Sequence, residues 1–155
     1  MVNAEFVLAT AVAVLLIVAA VIDARTRIIP NWLNLAIAVL AVPYWWSTSL
    51  TLWPDIALQL GIALLVFVIL LGVFSLGQMG GGDVKLIVAL ALFLAPLDFV
   101  RMLFVMAIAG GVLTLIMVVR HRLRHSEEPF ENPYGIAIAL GGLVALSERY
   151  LNNLA

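Results

Sequence analysis

Two aspartates stand out in a chain that is otherwise poor in charge. Asp23 follows directly on a long apolar run, and Asp83 follows Gly80, Gly81 and Gly82 and precedes another apolar run. An ionisable residue next to such runs is by default a candidate for a functional site, because a carboxylate in a membrane needs water or a partner. Two carboxylates that hold one water between them can hydrolyse a peptide bond if one is ionised and the other keeps its proton. We therefore expect Asp23 and Asp83 to be a catalytic pair.

The positions of the two acids relative to the predicted helices also suggest their roles. Asp83 is expected at a helix N-terminus, which favours the ionised form, and Asp23 near a helix C-terminus, which disfavours it. The sequence thus predicts Asp83 as the initial base and Asp23 as the initial acid.

Residues beside the two acids are expected to bind substrate or to shape the loops. A run of glycines can adopt positive φ and lets another backbone come close to the neighbouring acid. A phosphate-binding turn is a weaker interpretation of this run, since no Gly-Lys-Ser/Thr follows and Asp83 would repel phosphate. Lys85 either orients the site or marks the membrane interface, and we favour the interface. The residues predicted to bind substrate or shape the loops are Pro30, Asn31, Gly80, Gly81, Gly82 and Lys85.

Composition predicts an integral membrane protein. Hydrophobic residues make up 65% of the 155 residues and charged residues 11%, whereas soluble domains average about half and a quarter. No extended basic surface suggests nucleic-acid binding. Cysteine is absent, which excludes thiolate catalysis and cysteine-bound zinc. His121 and His125 have helical spacing but lack the glutamate of a His-Glu-x-x-His site. We therefore expect no metal and no cofactor.

Hydropathy predicts an all-α membrane protein, a bundle of about six transmembrane helices that forms one domain over residues 1–155. The first run has no positively charged segment before it and is longer than the apolar part of a signal peptide, so we interpret it as a retained span. The expected spans are Phe6 to Ile22, Trp32 to Trp46, about Ile56 to Leu76, Val84 to Leu94, about Phe99 to Val119, and from Pro133-Tyr134-Gly135 to about Leu146.

The distribution of basic residues predicts the orientation in the membrane. Six of them lie in or beside the loops that follow spans one, three and five, and two, Arg101 and Arg149, lie on the other side. By the positive-inside rule the first group is cytoplasmic and both termini are outside. Asp23 and Asp83 then share the cytoplasmic face. A small membrane transporter or a secretion or pilus assembly subunit, in which the acids bind protons or cations, is the competing hypothesis.

Two segments of the chain resemble the signature segments of the bacterial prepilin peptidases, which are membrane aspartic proteases of the Gly-x-Gly-Asp type. One is Asp23 with the downstream Ile29-Pro30-Asn31, and the other runs from Gly80 to Leu86. The segment Pro133-Tyr134-Gly135 is similar to one near the last span of that family. The resemblance implies that Asp23 and Asp83 are the catalytic pair and that Gly80 and Gly82 shape the loop.

The resemblance also implies a substrate and a location. Prepilins carry a short basic leader in the cytoplasm that ends in glycine before a hydrophobic helix, and cleavage follows that glycine. The protein would lie in the bacterial inner membrane, with the lipid bilayer and membrane-inserted prepilins as its partners. Larger family members add a methyltransferase region and a cysteine-rich zinc loop, which this chain lacks. It is similar to the short, peptidase-only type of tight-adherence (Flp) pilus systems, and short members also serve other type IV pilus or secretion systems.

Overall fold

The computed structural model of the protein describes residues 4–124 and 134–152, and within these ranges it contains helices and no β-strand. The predicted all-α architecture is therefore confirmed for the described residues. A short π-helical turn, Leu52–Ile56, leads into the third helix. The six helices are α1 (Ala4–Thr26), α2 (Asn31–Ser47), α3 (Ala57–Ser75), α4 (Gly81–Phe93), α5 (Pro96–Arg124) and α6 (Tyr134–Asn152).

Three helical stretches of the described chain are long and apolar enough to cross a membrane. They are Ala4–Thr26, Leu52–Ser75 and Pro96–Val119. Many side chains of the second and third stretches are exposed and apolar, among them Leu64 and Phe104. Such surfaces suit contact with lipid, since lipid tails replace the water that would disfavour them.

Helix α4 differs from these stretches because it is short and buried. Its 13 residues extend about 20 Å, less than the ~30 Å hydrocarbon core of a bilayer. It packs against α2, α3 and α6, and Leu86, Ile87, Leu90 and Phe93 are fully buried. Its first turn carries Asp83. The bundle therefore surrounds the helix that carries one of the two candidate catalytic acids.

The helix ends differ from the predicted spans at the functionally important places. Helix α1 continues past Asp23 to Thr26, so the acid lies in the last turn and does not end the helix. Pro96 begins α5 and does not close the preceding span, because its fixed φ suits a first helical turn. Helix α5 also extends to Arg124, into the loop predicted after the fifth span. His125 lies outside the described residues, so the histidine pair stays untested.

Candidate active site

The two aspartates lie on one cavity at the end of the bundle where α1 ends and α4 and α6 begin. The cavity has a volume of about 680 Å³. Its walls are formed by α1 and the loop after it, by the loop before α4 and the first turn of α4, by α5, and by the start of α6. The residues that line it are Asp23, Thr26, Arg27, Ile28, Gly77, Gln78, Met79, Gly80, Asp83, Thr114 and Tyr134. The fold thus brings together two carboxylates that are far apart in the chain.

Asp23 is held in a buried position by a neighbouring helix. Only 3% of the residue is exposed. The backbone N–H groups of Gly135 and Ile136, in the first turn of α6, donate hydrogen bonds to its carboxylate. These N–H groups are available because the first turn of a helix leaves its donors without intrahelical partners. Its Oδ2 atom is buried and has no hydrogen-bond partner in the described part of the protein.

Asp83 is positioned by its own helix terminus. Gly80 precedes α4 with extended φ and ψ, and its backbone N–H donates to the Asp83 carboxylate. An acid in the first turn that reaches back to the N–H before the helix is one half of a capping box. A Cβ at Gly80 would lie 3.1 Å from Asp83 Oδ2, so glycine leaves room for the carboxylate.

Burial and the neighbouring acid act together on Asp83, which lies outside the three stretches long enough to cross a membrane. Burial raises the pKa of Asp83, the negative charge of Asp23 raises it further, and the Gly80 N–H opposes them; the resulting pKa is about 6. Two nearby carboxylates resist double ionisation, so one of them retains a proton to higher pH. The pair therefore meets the electrostatic requirement for hydrolysis, in which one carboxyl group retains a proton while the other is ionised.

The raised pKa of Asp83 disfavours the role of initial base that the inference from helix ends alone gave it. That inference placed Asp23 at the unfavourable C-terminus of α1 and took no account of α6, whose first N–H groups face the same carboxylate. Hydrogen bonds from N–H groups are stronger when the acceptor is ionised. For Asp83, burial outweighs the favourable position in the first turn of α4.

The raised pKa of Asp83 predicts that Asp83→Asn stabilises the folded protein at neutral pH. The pKa is 3.8 for the ordinary group and about 6 in the folded protein, so between these values the folded state binds more protons than the unfolded state. Wild-type stability then falls as pH rises through this window and stays lower above it. The asparagine variant lacks this loss and should be more stable at pH 8 by about 1–3 kcal/mol.

Thermal unfolding in detergent at pH 8 and at pH 3.5 measures this effect. The difference between wild type and Asp83→Asn should nearly vanish at the lower pH, where the carboxyl group is mostly protonated in both states. Asp55→Asn is the control, since Asp55 bonds to Thr51 far from the cavity. Equal stability of wild type and Asp83→Asn at pH 8 would contradict the electrostatic description of the pair.

Glycine is present at each of the three positions before Asp83 for a separate structural reason, and none of them requires a positive φ. Gly80 has a φ of -72°, Gly81 and Gly82 are helical, and the positive φ falls on Gly77 at 70°. At Gly82 the reason is the close approach of Ile29. A Cβ there would lie 3.1 Å from both Cβ and the backbone oxygen of Ile29. The loop after α1 therefore packs against the first turn of α4.

Two asparagines of α2 bind residues at the start of α4. Asn34 Nδ2 donates to the Gly82 carbonyl oxygen at 3.1 Å, and Lys85 Nζ donates to Asn31 Oδ1 at 2.8 Å. Lys85 thus orients the start of α4 against α2, which adds a structural role to the interface role that the sequence favoured. Pro30 has extended φ and ψ and immediately precedes α2, so it sets the direction in which Asn31 and Asn34 enter the contact.

Several residues at the site were not predicted from the residue pattern. Asn34 is buried and polar, and its place three residues after Asn31 on the same helix face was the available signal. Thr114 and Tyr134 line the cavity, and Gly135 faces Asp23. Of these residues, only Tyr134 and Gly135 belong to a segment that resembles the family. No group of three or more potential metal ligands comes together within residues 4–119 and 134–148, whose side chains the structure describes.

Comparison with known families now decides the classification. The sequence model of the type IV leader peptidase family matches residues 10–116, which include both aspartates and the whole of α4. This chain belongs to the type IV leader peptidase family. Searches of curated proteins and of solved structures find no match. Membership in this peptidase family makes the chain a peptidase, and the three long apolar stretches make it a membrane protein.

Within this peptidase family assignment, the geometry is suited to acid–base hydrolysis. The cavity is lined by one carboxyl group that accepts backbone hydrogen bonds and by a second with a raised pKa. Such a pair can accept a proton from water while it donates another to a carbonyl oxygen. The matched segment ends at residue 116, before α6, so the backbone donors to Asp23 come from a part of the chain beyond it.

Proposed function

We propose that this chain is an aspartic endopeptidase that removes the leader peptide from prepilins, with Asp23 and Asp83 as its catalytic residues. The observation that carries the proposal is the shared cavity: both carboxylates line it, and the charge of one raises the pKa of the other. Family membership supports the choice of leader peptides as substrates.

The proposed reaction uses a water molecule between the two acids. Ionised Asp23 takes a proton from the water as the water oxygen bonds to the peptide carbonyl carbon, and protonated Asp83 donates its proton to the carbonyl oxygen. The tetrahedral intermediate then breaks its C–N bond, and the amine nitrogen takes up a proton from Asp23 while the proton from the intermediate's hydroxyl returns to Asp83. Both acids regain their starting states, which aspartic hydrolysis requires.

The proposed location follows from charge and from helix direction. Arg25 and Arg27 lie at the end of the bundle that carries the cavity, as does Lys85, and an excess of basic residues marks the cytoplasmic side. A prepilin leader in the cytoplasm of a bacterium would reach the cavity from that side of the inner membrane. The prepilins of a type IV or Flp pilus system are the proposed substrates.

The test is cleavage of a defined substrate by the purified protein in lipid vesicles or detergent. The substrate is a peptide with a short basic leader ending in glycine, followed by an apolar helix, and mass spectrometry identifies the products. We expect wild type to release the leader by cutting after the glycine, and Asp83→Asn to cut it about 1,000-fold more slowly.

Asp55→Asn is the matched control, because it removes an acid at the opposite end of α3 from the cavity. Its activity should stay within about threefold of wild type, as expected for a substitution away from the site. Cleavage by Asp83→Asn at the wild-type rate, or no cleavage by wild type of any leader peptide offered, would refute the proposed function.

A further inference from the structure

The first turn of α6 lies so close to the carboxylate of Asp23 that position 135 has no room for a side chain. A Cβ built on Gly135 would lie 2.7 Å from both Cγ and Oδ2 of Asp23, and 2.8 Å from Ile29 Cδ1. Carbon atoms in contact prefer separations of about 3.5–4.0 Å. The carboxylate therefore occupies the space that a side chain at position 135 would need, and it lies within reach of the N–H groups of Gly135 and Ile136.

Helix α6 is fixed in this position by two further glycines. A Cβ on Gly141 would lie 2.7 Å from the backbone oxygen of Met102 in α5, and one on Gly142 would lie 2.8 Å from Leu16 Cδ1 in α1. Small residues let helices in membrane proteins approach closely and pack tightly. Helix α6 is thus seated against both α1 and α5, so its N-terminal donors cannot easily drift from Asp23.

We propose that the first turn of α6 is a positioning element of the active site, in which Gly135 and the N–H groups of Gly135 and Ile136 set the place and orientation of the Asp23 carboxylate. This inference rests on the proposed function, since it assigns Asp23 a part in catalysis. Gly135 acts through Asp23 and is a positioning residue. The element lies outside the segment that matches the peptidase family, residues 10–116.

The test compares Gly135→Ala with Gly111→Ala. Both replace a glycine of the described helices by alanine, but a Cβ at Gly111 meets no atom within 4 Å. In Gly135→Ala the methyl group must displace the carboxylate or the helix by roughly 1 Å, and a displacement of that size in a catalytic group lowers the rate about 100-fold. We expect kcat to fall about 100-fold with KM within threefold, and Gly111→Ala to match wild type.

A second variant covers the case in which Gly135→Ala does not fold. Ile136→Pro removes one of the two N–H donors at a position in the first helical turn, where proline interrupts no intrahelical hydrogen bond. Position 135 remains glycine, so no Cβ is added beside Asp23. We expect kcat again to fall at least tenfold with KM within threefold. Wild-type kcat in both variants, or a loss expressed entirely in KM, would overturn the positioning role.

Infrared spectroscopy separates failure of this inference from failure of the proposed function. The carboxyl band of Asp23 is the one that Asp23→Asn removes, and it should shift in Gly135→Ala and in Ile136→Pro but not in Gly111→Ala. This readout needs no substrate, so it applies even if wild type cleaves no leader peptide. An Asp23 band that is the same in Gly135→Ala, Ile136→Pro and Gly111→Ala would refute the contact between the first turn of α6 and Asp23. The peptidase assignment would be unaffected.

Discussion

Replacing either Asp23 or Asp83 by asparagine is expected to lower the rate of leader cleavage by about 1,000-fold, and replacing both should lower it no further. Each acid performs one half of the same proton exchange, so the second substitution removes a function that the first has already disabled. Acid–base groups contribute factors of about 100 to 10,000, which sets the size of the expected loss. Single-turnover rates with excess enzyme measure the chemical step directly.

The double variant distinguishes a pair from two independent groups. If the acids acted independently, the effects would multiply to about a million-fold. Asp55→Asn, measured alongside, controls for loss of an acid as such, and thermal unfolding checks that each variant is folded. A multiplicative loss in the double variant, or a single variant that retains wild-type activity, would show that Asp23 and Asp83 do not share a reactant.

The meeting of the two acids could be predicted because it depends on helix order and direction. Asp23 follows the first apolar run and Asp83 precedes the fourth. Short loops force successive helices to run in opposite directions, so the end of the first and the start of the fourth come to the same end of the bundle. This inference requires no knowledge of how the side chains pack. The all-α class follows in the same way from hydropathy.

The detailed environment of each acid could not be predicted, because it is made by contacts between distant segments. The first turn of α6 donates to Asp23 in the last turn of α1, and no local periodicity links these positions. The predicted roles of the acids therefore depended on the ends of α1 and α4 alone. The glycines before Asp83 were predicted as an irregular loop, but Gly81 and Gly82 are helical. Tertiary packing against Ile29 and Phe74 outweighs their low helix propensity.

Gly82→Ala is expected to lower kcat by about 10–100-fold. The added methyl group would lie 3.1 Å from the backbone oxygen of Ile29 and 3.4 Å from its nitrogen, and backbone atoms cannot rotate aside as a side chain can. The loop after α1 or the first turn of α4 must therefore move, and the Asn34 bond to the Gly82 oxygen moves with it. Because Asp83 directly follows, a shift of a few tenths of an ångström reaches the catalytic pair. Steady-state cleavage kinetics measure the loss.

Gly81→Ala is the matched control, one residue away in the same turn. Its methyl group would meet the ring of Phe74 at 3.4 Å, an ordinary contact with a side chain that can adjust, and its kcat should stay within about threefold of wild type. Both substitutions gain the same helix propensity, about 1 kcal/mol, so that gain cancels in the comparison. The remaining difference is the approach of the Ile29 backbone. Equal kcat values for the two variants would mean that this approach does not hold Asp83 in place.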